Sequence, residues 1–219
     1  MLEINNLSFQ YSEESSRLFQ AFSFKAKCGE TVLVKGSSGS GKTTLLNLLC
    51  GVIPKVIPGK LSGKITINDH DIKRQKLSEL SPYISLLMQD PELQLFFPIV
   101  EQEIAFGPEN FQVEPEEILS RISTALKLLG IEHLRYRETV NLSFGEKKLV
   151  ALAALIALDP QIFLLDEPTA GISSQQIEYL KNVIKTLSEN GKIFFIAEHQ
   201  GELLDLPHLT IDLDDSGAI

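Results

Sequence analysis

An α/β fold is predicted by the 219-residue sequence: a mostly parallel sheet, an antiparallel β subdomain near the N-terminus, and a helical subdomain inserted into the α/β unit. Segments near the N-terminus that alternate apolar and polar residues are typical of antiparallel strands. Further on, continuous apolar runs alternate with helical patterns, as expected for parallel strands covered on both faces. From about residue 90 to 158 the pattern is helical, and no linker or internal repeat interrupts the chain. We therefore expect one domain over 1–219.

The antiparallel subdomain is predicted from three segments. "LEINNLSFQY" and "FQAFSFKA" flank the polar turn "SEESSR", and "GKITIND" follows later. The parallel strands are predicted in "TVLVKG", "YISLLMQ", "QIFLLDE" and "KIFFIAE". Within the helical block, "PEEILSRISTALKLLG" repeats apolar residues at helical spacing, with Pro115 near its start and Gly130 as its stop.

Composition excludes several classes of protein. A formal net charge of −9 argues against a nucleic-acid footprint, because such binding needs clustered Lys and Arg. Cys28 and Cys50 have neither metal-binding nor redox spacing, which favours a reducing compartment, by default the cytoplasm. The N-terminus lacks the layout of a signal peptide, and the longest apolar run, 149–158, is shorter than the roughly 20 residues that span a bilayer. We expect no segment to cross a membrane.

A phosphate-binding loop is predicted in "GSSGSGKTT", between the strand "TVLVKG" and an apolar helix. This is the order that the Walker A pattern G-x-x-x-x-G-K-[ST] requires, and it places the fold among the P-loop NTPases. Glycines let backbone N–H groups surround phosphate oxygens, Lys42 reaches the β and γ phosphates, and Thr43 ligates Mg²⁺. The alternative is a Gly/Ser turn that only caps a helix. The predicted nucleotide-binding residues of this loop are Gly36, Ser37, Gly39, Ser40, Gly41, Lys42, Thr43 and Thr44.

"QIFLLDEPTAG" supplies the second half of the predicted site. A buried strand delivers Asp166 at its carboxyl end, where open α/β sheets bind ligands. Asp166 is predicted to hold Mg²⁺, directly or through water, and Glu167 to orient or activate the attacking water. Taken alone, a strand that ends in "DE" is more often an ordinary solvated strand end. Together with the phosphate loop it predicts ATP as the ligand.

"NLSFGEKK" precedes an apolar run and predicts a helix start. Ser143 can cap the helix, and Glu146 can reach back to it, which is a capping box. A helix N-terminus is also an anion site, because its unpaired N–H groups point outward and the helix dipole favours negative charge. The pattern alone leaves both roles open.

These motifs occur in the order of an ABC-type ATPase, and the resemblance covers essentially the whole chain. It implies that Tyr11 stacks on adenine, that Gln89 senses Mg²⁺ and the γ phosphate while it links to a membrane partner, and that His199 contacts the γ phosphate. Singly, Tyr11 could be strand packing, Gln89 a turn residue, and His199 a histidine without a role. The resemblance thus gives Glu167, His199 and Gln89 as catalytic residues, and Thr43, Gln89 and Asp166 as Mg²⁺ ligands.

ABC-type ATPase domains pair head to tail, so the resemblance implies that Ser143 and Gly145 bind the nucleotide held by a second ATPase subunit. Two positions depart from the family pattern. Phe144 stands where the family has glycine, with Glu146 where glutamine is usual, and Ile172 and Ser173 replace Leu-Asp after "DEPTAG". These departures predict an unequal pair, a heterodimer, with a homodimer as the alternative.

A narrower likeness lies in "MQDPELQLFFPIVEQEIAFGPENF", residues 88–111, which resembles energy-coupling-factor importers for cobalt, nickel and vitamins. Leu93, Leu95, Phe96 and Phe97 are crowded where that family presents a groove to a coupling helix; alternatively they pack inside the helical subdomain. The likeness implies a transmembrane coupling protein and a substrate-binding membrane protein as partners. It also implies a peripheral position on the cytoplasmic face of the membrane, and no nucleic acid.

The sequence also has to be compared with two rival functional classes. A soluble ABC-type ATPase of DNA repair or translation usually carries coiled-coil insertions, tandem domains or basic surfaces, which the sequence does not display. A P-loop kinase for a small molecule would not explain "LSFGE" or His199. The sequence therefore favours an importer ATPase.

Overall fold

The computed structural model describes residues 1–14, 16–198 and 201–214. Nine strands lie in this part of the chain: β1 Leu2–Gln10, β2 Phe19–Ala26, β3 Thr31–Lys35, β4 Lys60–Ile67, β5 His70–Asp71, β6 Ile84–Leu87, β7 Ile162–Asp166, β8 Ile193–Ala197 and β9 Leu209–Asp212. The α-helices there are α1 Lys42–Leu49, α2 Val52–Lys55, α3 Leu77–Leu80, α4 Val100–Asn110, α5 Pro115–Leu129, α6 Phe144–Leu158 and α7 Ser174–Glu189.

Four strands form the antiparallel sheet near the N-terminus, in the order β2-β1-β4-β5. In β1 the apolar residues Leu2, Ile4, Leu7 and Phe9 are buried, so one face of the strand packs on the core. The register shifts between Ile4 and Leu7 and again before Phe9. The three segments predicted to form this sheet are therefore confirmed.

The five strands of the second sheet run parallel, in the order β6-β7-β8-β3-β9. Every residue of β7 and β8 is buried, because helices and the antiparallel sheet cover both faces. The carboxyl ends of parallel strands meet at one edge. The phosphate loop follows β3, Gln89 follows β6 and Asp166 is the last residue of β7, so all three lie at that edge.

Helices α4, α5 and α6 pack against one another and fill the segment between β6 and β7. Helix α5 begins at Pro115 and ends before Gly130, whose left-handed backbone (φ 66°) closes it as predicted. One core cluster joins these helices and α7 to one face of the parallel sheet, while a second joins α1 and the antiparallel sheet to the other face. The predicted α/β fold class is confirmed. Among the described residues, every helix is too short or too polar to cross a bilayer.

Candidate nucleotide-binding and catalytic site

The phosphate loop follows β3 and leads into α1 with its backbone in glycine-only conformations. Gly39 and Gly41 have φ of 82° and 101°, in the left-handed region. Gly41 is the N-cap of α1 and supplies no side-chain acceptor, so the first N–H groups of the helix face outward without a cap. The buried Ser40 hydroxyl has no hydrogen-bond partner within the described residues. The loop therefore offers donors suited to phosphate oxygens.

Lys42 lies folded against the loop that it follows. Its Nζ donates to the carbonyl oxygens of Gly36 and Ser37, at 2.7 and 2.9 Å. Burial lowers the pKa of the Lys42 amine, while the carboxylates of Glu167, Asp214 and Asp166 act in the opposite direction. Asp214 reaches the same loop: it accepts the Ser37 N–H at 2.7 Å and the Ser37 hydroxyl at 2.9 Å.

Thr43 and Asp166 meet where the predicted Mg²⁺ would bind. The Thr43 hydroxyl donates to Oδ2 of Asp166 at 2.7 Å, and Asp166 is 4% exposed. Burial raises the pKa of Asp166, and the hydrogen bond from Thr43 opposes that rise. In the described part of the chain, no group of three or more His, Cys, Asp or Glu is arranged so that it could hold a metal ion by itself. This oxygen pair fits Mg²⁺, which takes one or two protein oxygens and fills its shell with phosphates and water.

Glu167 follows Asp166 with an unusual backbone. Its φ is 48°, a left-handed conformation that is uncommon outside glycine. Its N–H donates to the carbonyl of Ala197 in β8 at 2.9 Å, and its own carbonyl accepts Nζ of Lys148 at 2.8 Å. Its carboxylate accepts Nε2 of Gln89 at 3.1 Å. The structure thus joins Gln89 to the residue predicted to orient the attacking water.

Tyr11 also reaches the phosphate loop. Its hydroxyl shares a 2.7 Å hydrogen bond with the hydroxyl of Thr44, and its ring lies edge-on to Phe9. The side chain remains 47% exposed, which leaves ring surface for stacking. His199, predicted to contact the γ phosphate, lies outside the described residues.

Residues 143–146, which we call the signature turn, begin α6. The predicted capping box is present: the Ser143 backbone N–H and hydroxyl donate to Glu146, at 2.8 and 2.7 Å, and the Glu146 N–H donates back at 3.3 Å. The bonds from the Ser143 hydroxyl and backbone lower the pKa of Glu146. Within the described ranges no hydrogen bond joins Ser143 or Gly145 to the phosphate loop of the same chain.

The signature turn instead packs on the loop that follows Glu167. A Cβ on Gly145 would lie 2.2 Å from the carbonyl oxygen of Gly171, so only glycine permits this approach. The ring of Phe144 lies beside Gly171 and 5.0 Å from Nζ of Lys148, and it is 45% exposed.

A family model described as ABC transporter matches residues 19–170, more than half of the chain. This chain belongs to the ABC transporter family. The predicted resemblance is thus confirmed, and with it the predicted enzyme class, since the family's cassettes are ATPases.

Relatives of this ABC cassette include longer proteins. A Saccharolobus solfataricus protein, provisionally named an ABC transporter ATP-binding protein, is 37% identical over 219 residues, which cover 100% of this chain and 41% of that protein. A similarly named Sulfurisphaera tokodaii protein is also 37% identical over 219 residues, which cover 100% of this chain and 46% of the relative. The cassette spans less than half the length of these curated relatives.

Two solved structures share the fold of the cassette. CbiO1 from Clostridium perfringens, described as part of the ABC transporter complex CbiONQ, has a TM-score of 0.77 and 31% identity, over 91% of this chain and 78% of that one. The ATP-binding cassette MJ0796, in a dimeric post-hydrolysis state bound to ADP and Pi, has a TM-score of 0.78 and 25% identity, over 93% and 90%.

The cassette carries an apolar groove on its helical subdomain. It has a volume of about 700 Å³, and its lining includes Phe97, Ala105, Pro115, Ile118 and Ile122. Segment 93–97 is divided between surface and core. Leu93 and Phe96 are exposed, at 64% and 74%, whereas Leu95 packs on the core.

The buried charged residues of the cassette that the sequence did not predict include Lys148 and Glu103. Lys148 is 1% exposed and binds the Glu167 carbonyl. Glu103, 5% exposed, accepts the N–H groups of both Phe96 and Phe97 at 2.7 Å. A signal existed for Lys148, since it lies in helical phase with Gly145 and Leu152 on the buried face of α6.

Proposed function

We propose that this chain is the ATP-hydrolysing subunit of a membrane importer of the energy-coupling-factor type, which takes up a vitamin or a transition-metal ion. One observation carries the proposal. Gln89 hydrogen-bonds Glu167 at the catalytic strand end, and the segment that follows Gln89 supplies the exposed Leu93 and Phe96 and then Phe97, which lines the apolar groove. An apolar groove suits an amphipathic partner helix. Because one segment connects this groove to Glu167, a partner helix bound there would be coupled to the hydrolytic site.

The proposed chemistry assigns each group a task. The phosphate loop holds ATP, with Lys42 on the β and γ phosphates and Tyr11 on the adenine. Thr43, Asp166 and Gln89 would hold Mg²⁺, which neutralises charge on the phosphates when bound. Glu167 orients the attacking water.

A second ATPase subunit completes the proposed site. Ser143 and Gly145 of one chain would close on the nucleotide held by the other, where the N-terminus of α6 favours an anion. The dimeric cassette MJ0796, 25% identical, supports pairing. The pair would sit peripherally on the cytoplasmic face of the membrane, and His199 would contact the γ phosphate of its own nucleotide.

The importer subgroup rests on two supports. Segment 88–111 resembles energy-coupling-factor ATPases, and CbiO1, at 31% identity, is described as part of an ABC transporter complex. A transmembrane coupling protein and a substrate-binding membrane protein would complete the assembly. The acidic net charge of −9 disfavours the alternative, an ABC ATPase acting on nucleic acid.

Transport can be measured directly. The chain is co-expressed with the membrane proteins encoded beside it, purified through its own tag and reconstituted into liposomes. ATP-driven uptake of labelled vitamins, cobalt or nickel is expected. Glu167→Gln should keep ATP affinity but lower hydrolysis by about 10²-fold or more, whereas Lys42→Ala should weaken ATP binding itself. Wild-type hydrolysis by Glu167→Gln would refute the role of Glu167, and recovery with nucleic acid but no membrane protein would refute the importer.

Docking is tested at the groove. Phe96→Asp places a charge on a side chain that is 74% exposed, so the fold should survive while binding of the coupling protein weakens at least tenfold. Val56→Asp, at a side chain 66% exposed at the end of α2 and outside the helical subdomain that carries the groove, is the matched control. Equal effects of the two variants on copurified membrane protein would contradict the groove as the docking surface.

A further inference from the structure

Lys148 is a buried cation close to the catalytic strand end. It lies in the second turn of α6, is 1% exposed, and directs its ammonium at the carbonyl oxygen of Glu167, 2.8 Å away. The ring of Phe144 covers the ammonium from 5.0 Å. Water is thus largely excluded from a hydrogen bond between a charged donor and a backbone acceptor, the kind that fixes geometry most firmly.

The backbone that Lys148 contacts is the strained one. Glu167 has φ of 48°, and a conformation of that kind persists only where the surrounding structure fixes it. Hydrogen bonds hold both sides of this residue: its N–H donates to the carbonyl of Ala197 at 2.9 Å, and its carbonyl accepts the Lys148 ammonium at 2.8 Å and the Ala170 N–H at 3.3 Å. Of the two donors to this carbonyl, Lys148 is the charged one and forms the shorter bond. These bonds fix the backbone from which the Glu167 carboxylate leaves.

We propose that Lys148 is a positioning residue: by binding the Glu167 carbonyl it fixes the left-handed backbone that aims the Glu167 carboxylate. Since Lys148 lies in α6, the same hydrogen bond links α6 of this chain to that carboxylate. The inference rests on the proposed role of Glu167 in hydrolysis. Because the signature turn lies on the same helix, a shift of α6 when the turn engages the partner's nucleotide would move the Lys148 ammonium and so the carboxylate of Glu167.

Its neighbour Lys147 has a different environment. Lys147 forms an ion pair with Glu92 at 2.5 Å, in the segment that follows Gln89, and Glu92 is well exposed. The two lysines therefore reach different parts of the site from one helix turn. Lys147 provides a matched comparison, because the same substitution there breaks a contact without touching Glu167.

Simple core filling does not account for Lys148. Burying the ammonium costs its hydration, a cost that Met at the same position would avoid, but Met would also remove the charged donor from the Glu167 carbonyl. The two effects oppose each other, so Lys148→Met should shift the unfolding midpoint little. A positioning role predicts that hydrolysis falls nevertheless, which separates the two accounts.

The experiment compares Lys148→Met, Lys148→Gln, Lys147→Met and Glu167→Gln in the assembly purified through a tag on this chain. We expect kcat for ATP hydrolysis to fall about 10- to 100-fold in Lys148→Met, with ATP Kd within about threefold, as misplacement of a catalytic group by a fraction of an ångström predicts. Lys148→Gln keeps a donor and should retain more kcat. In the Glu167→Gln background, Lys148→Met should cause little further loss.

An unchanged kcat in Lys148→Met, together with a strongly reduced kcat in Glu167→Gln, would overturn the positioning role alone. Wild-type kcat in Glu167→Gln would instead overturn the proposed role of Glu167. Should Lys148→Met lower the unfolding midpoint and ATP affinity together with kcat, and Lys148→Gln do the same, Lys148 would be a structural residue and the inference would be wrong.

Discussion

Glu103 is expected to hold residues 93–97 in place, so its replacement should lower the free energy of unfolding by an amount that can be calculated. One carboxylate oxygen of this buried residue accepts the N–H groups of Phe96 and Phe97, each at 2.7 Å. Hydrogen bonds to a charged group contribute about 1.5–3 kcal/mol each, partly offset by the cost of burying the charge. Glu103→Ala should therefore lower the free energy of unfolding by about 2–4 kcal/mol. In a chain of this size each kcal/mol shifts the thermal unfolding midpoint by about 2–4 °C, so this midpoint should fall by roughly 4–16 °C.

Glu103→Gln tests the mechanism more sharply. It keeps one acceptor oxygen for the two N–H groups, replaces the other carboxylate oxygen by an NH₂ group and loses the charge. The stability lost in Glu103→Gln should therefore be about half that lost in Glu103→Ala. Urea unfolding of the isolated chain gives both values, and Glu109→Ala, an exposed position on the same helix, should stay within about 0.5 kcal/mol. If alanine and glutamine cost the same, or if Glu103→Ala matches Glu109→Ala, then the carboxylate does not hold the segment.

Two further predictions concern stability. Gly145→Ala should lose about 1–3 kcal/mol, because its Cβ would lie 2.2 Å from a backbone oxygen; Gly107→Ala, whose Cβ would meet only the Leu158 side chain at 3.2 Å, should be near neutral in the same urea titration. Burial raises the pKa of Glu198 above 4.5, so the folded chain retains a proton that the unfolded chain releases, and stability falls as pH rises from 4.5 through the raised pKa. The stability of Glu198→Gln relative to wild type should therefore increase across that window, and a flat or falling difference would contradict it.

The elements that the sequence predicted well are those with a local pattern. Alternation of apolar and polar residues predicts β1, because only one face of that strand is buried. Continuous apolar runs predict β7 and β8, because both faces of those strands are buried. The phosphate loop and the capping box at Ser143 are predicted because each is formed by residues a few positions apart.

The contacts that escaped prediction are tertiary. Lys147 and Lys148 are neighbouring residues of the same type. Lys147 forms an ion pair with Glu92, whereas Lys148 is buried against Glu167, 19 positions away. Neighbours on a helix point about 100° apart, so the phase of α6 decides which lysine turns inward. That phase becomes useful only when the surface that covers the helix is known. The same holds for Glu103, which periodicity alone places on an ordinary helix face.

Phe144 illustrates how such contacts change an interpretation drawn from a family pattern. It stands where the family has glycine, and this departure is one of those that predict an unequal pair. In the structure the ring rests on Lys148 and beside Gly171, whose missing Cβ leaves the space that the ring fills. Part of the reason for a bulky residue thus lies within this chain. What remains for the partner is the exposed 45% of the ring and the Glu146 carboxylate, whose lowered pKa keeps its negative charge at the start of α6. The prediction of an unequal pair therefore rests on charge and on an exposed ring edge more than on the size of Phe144.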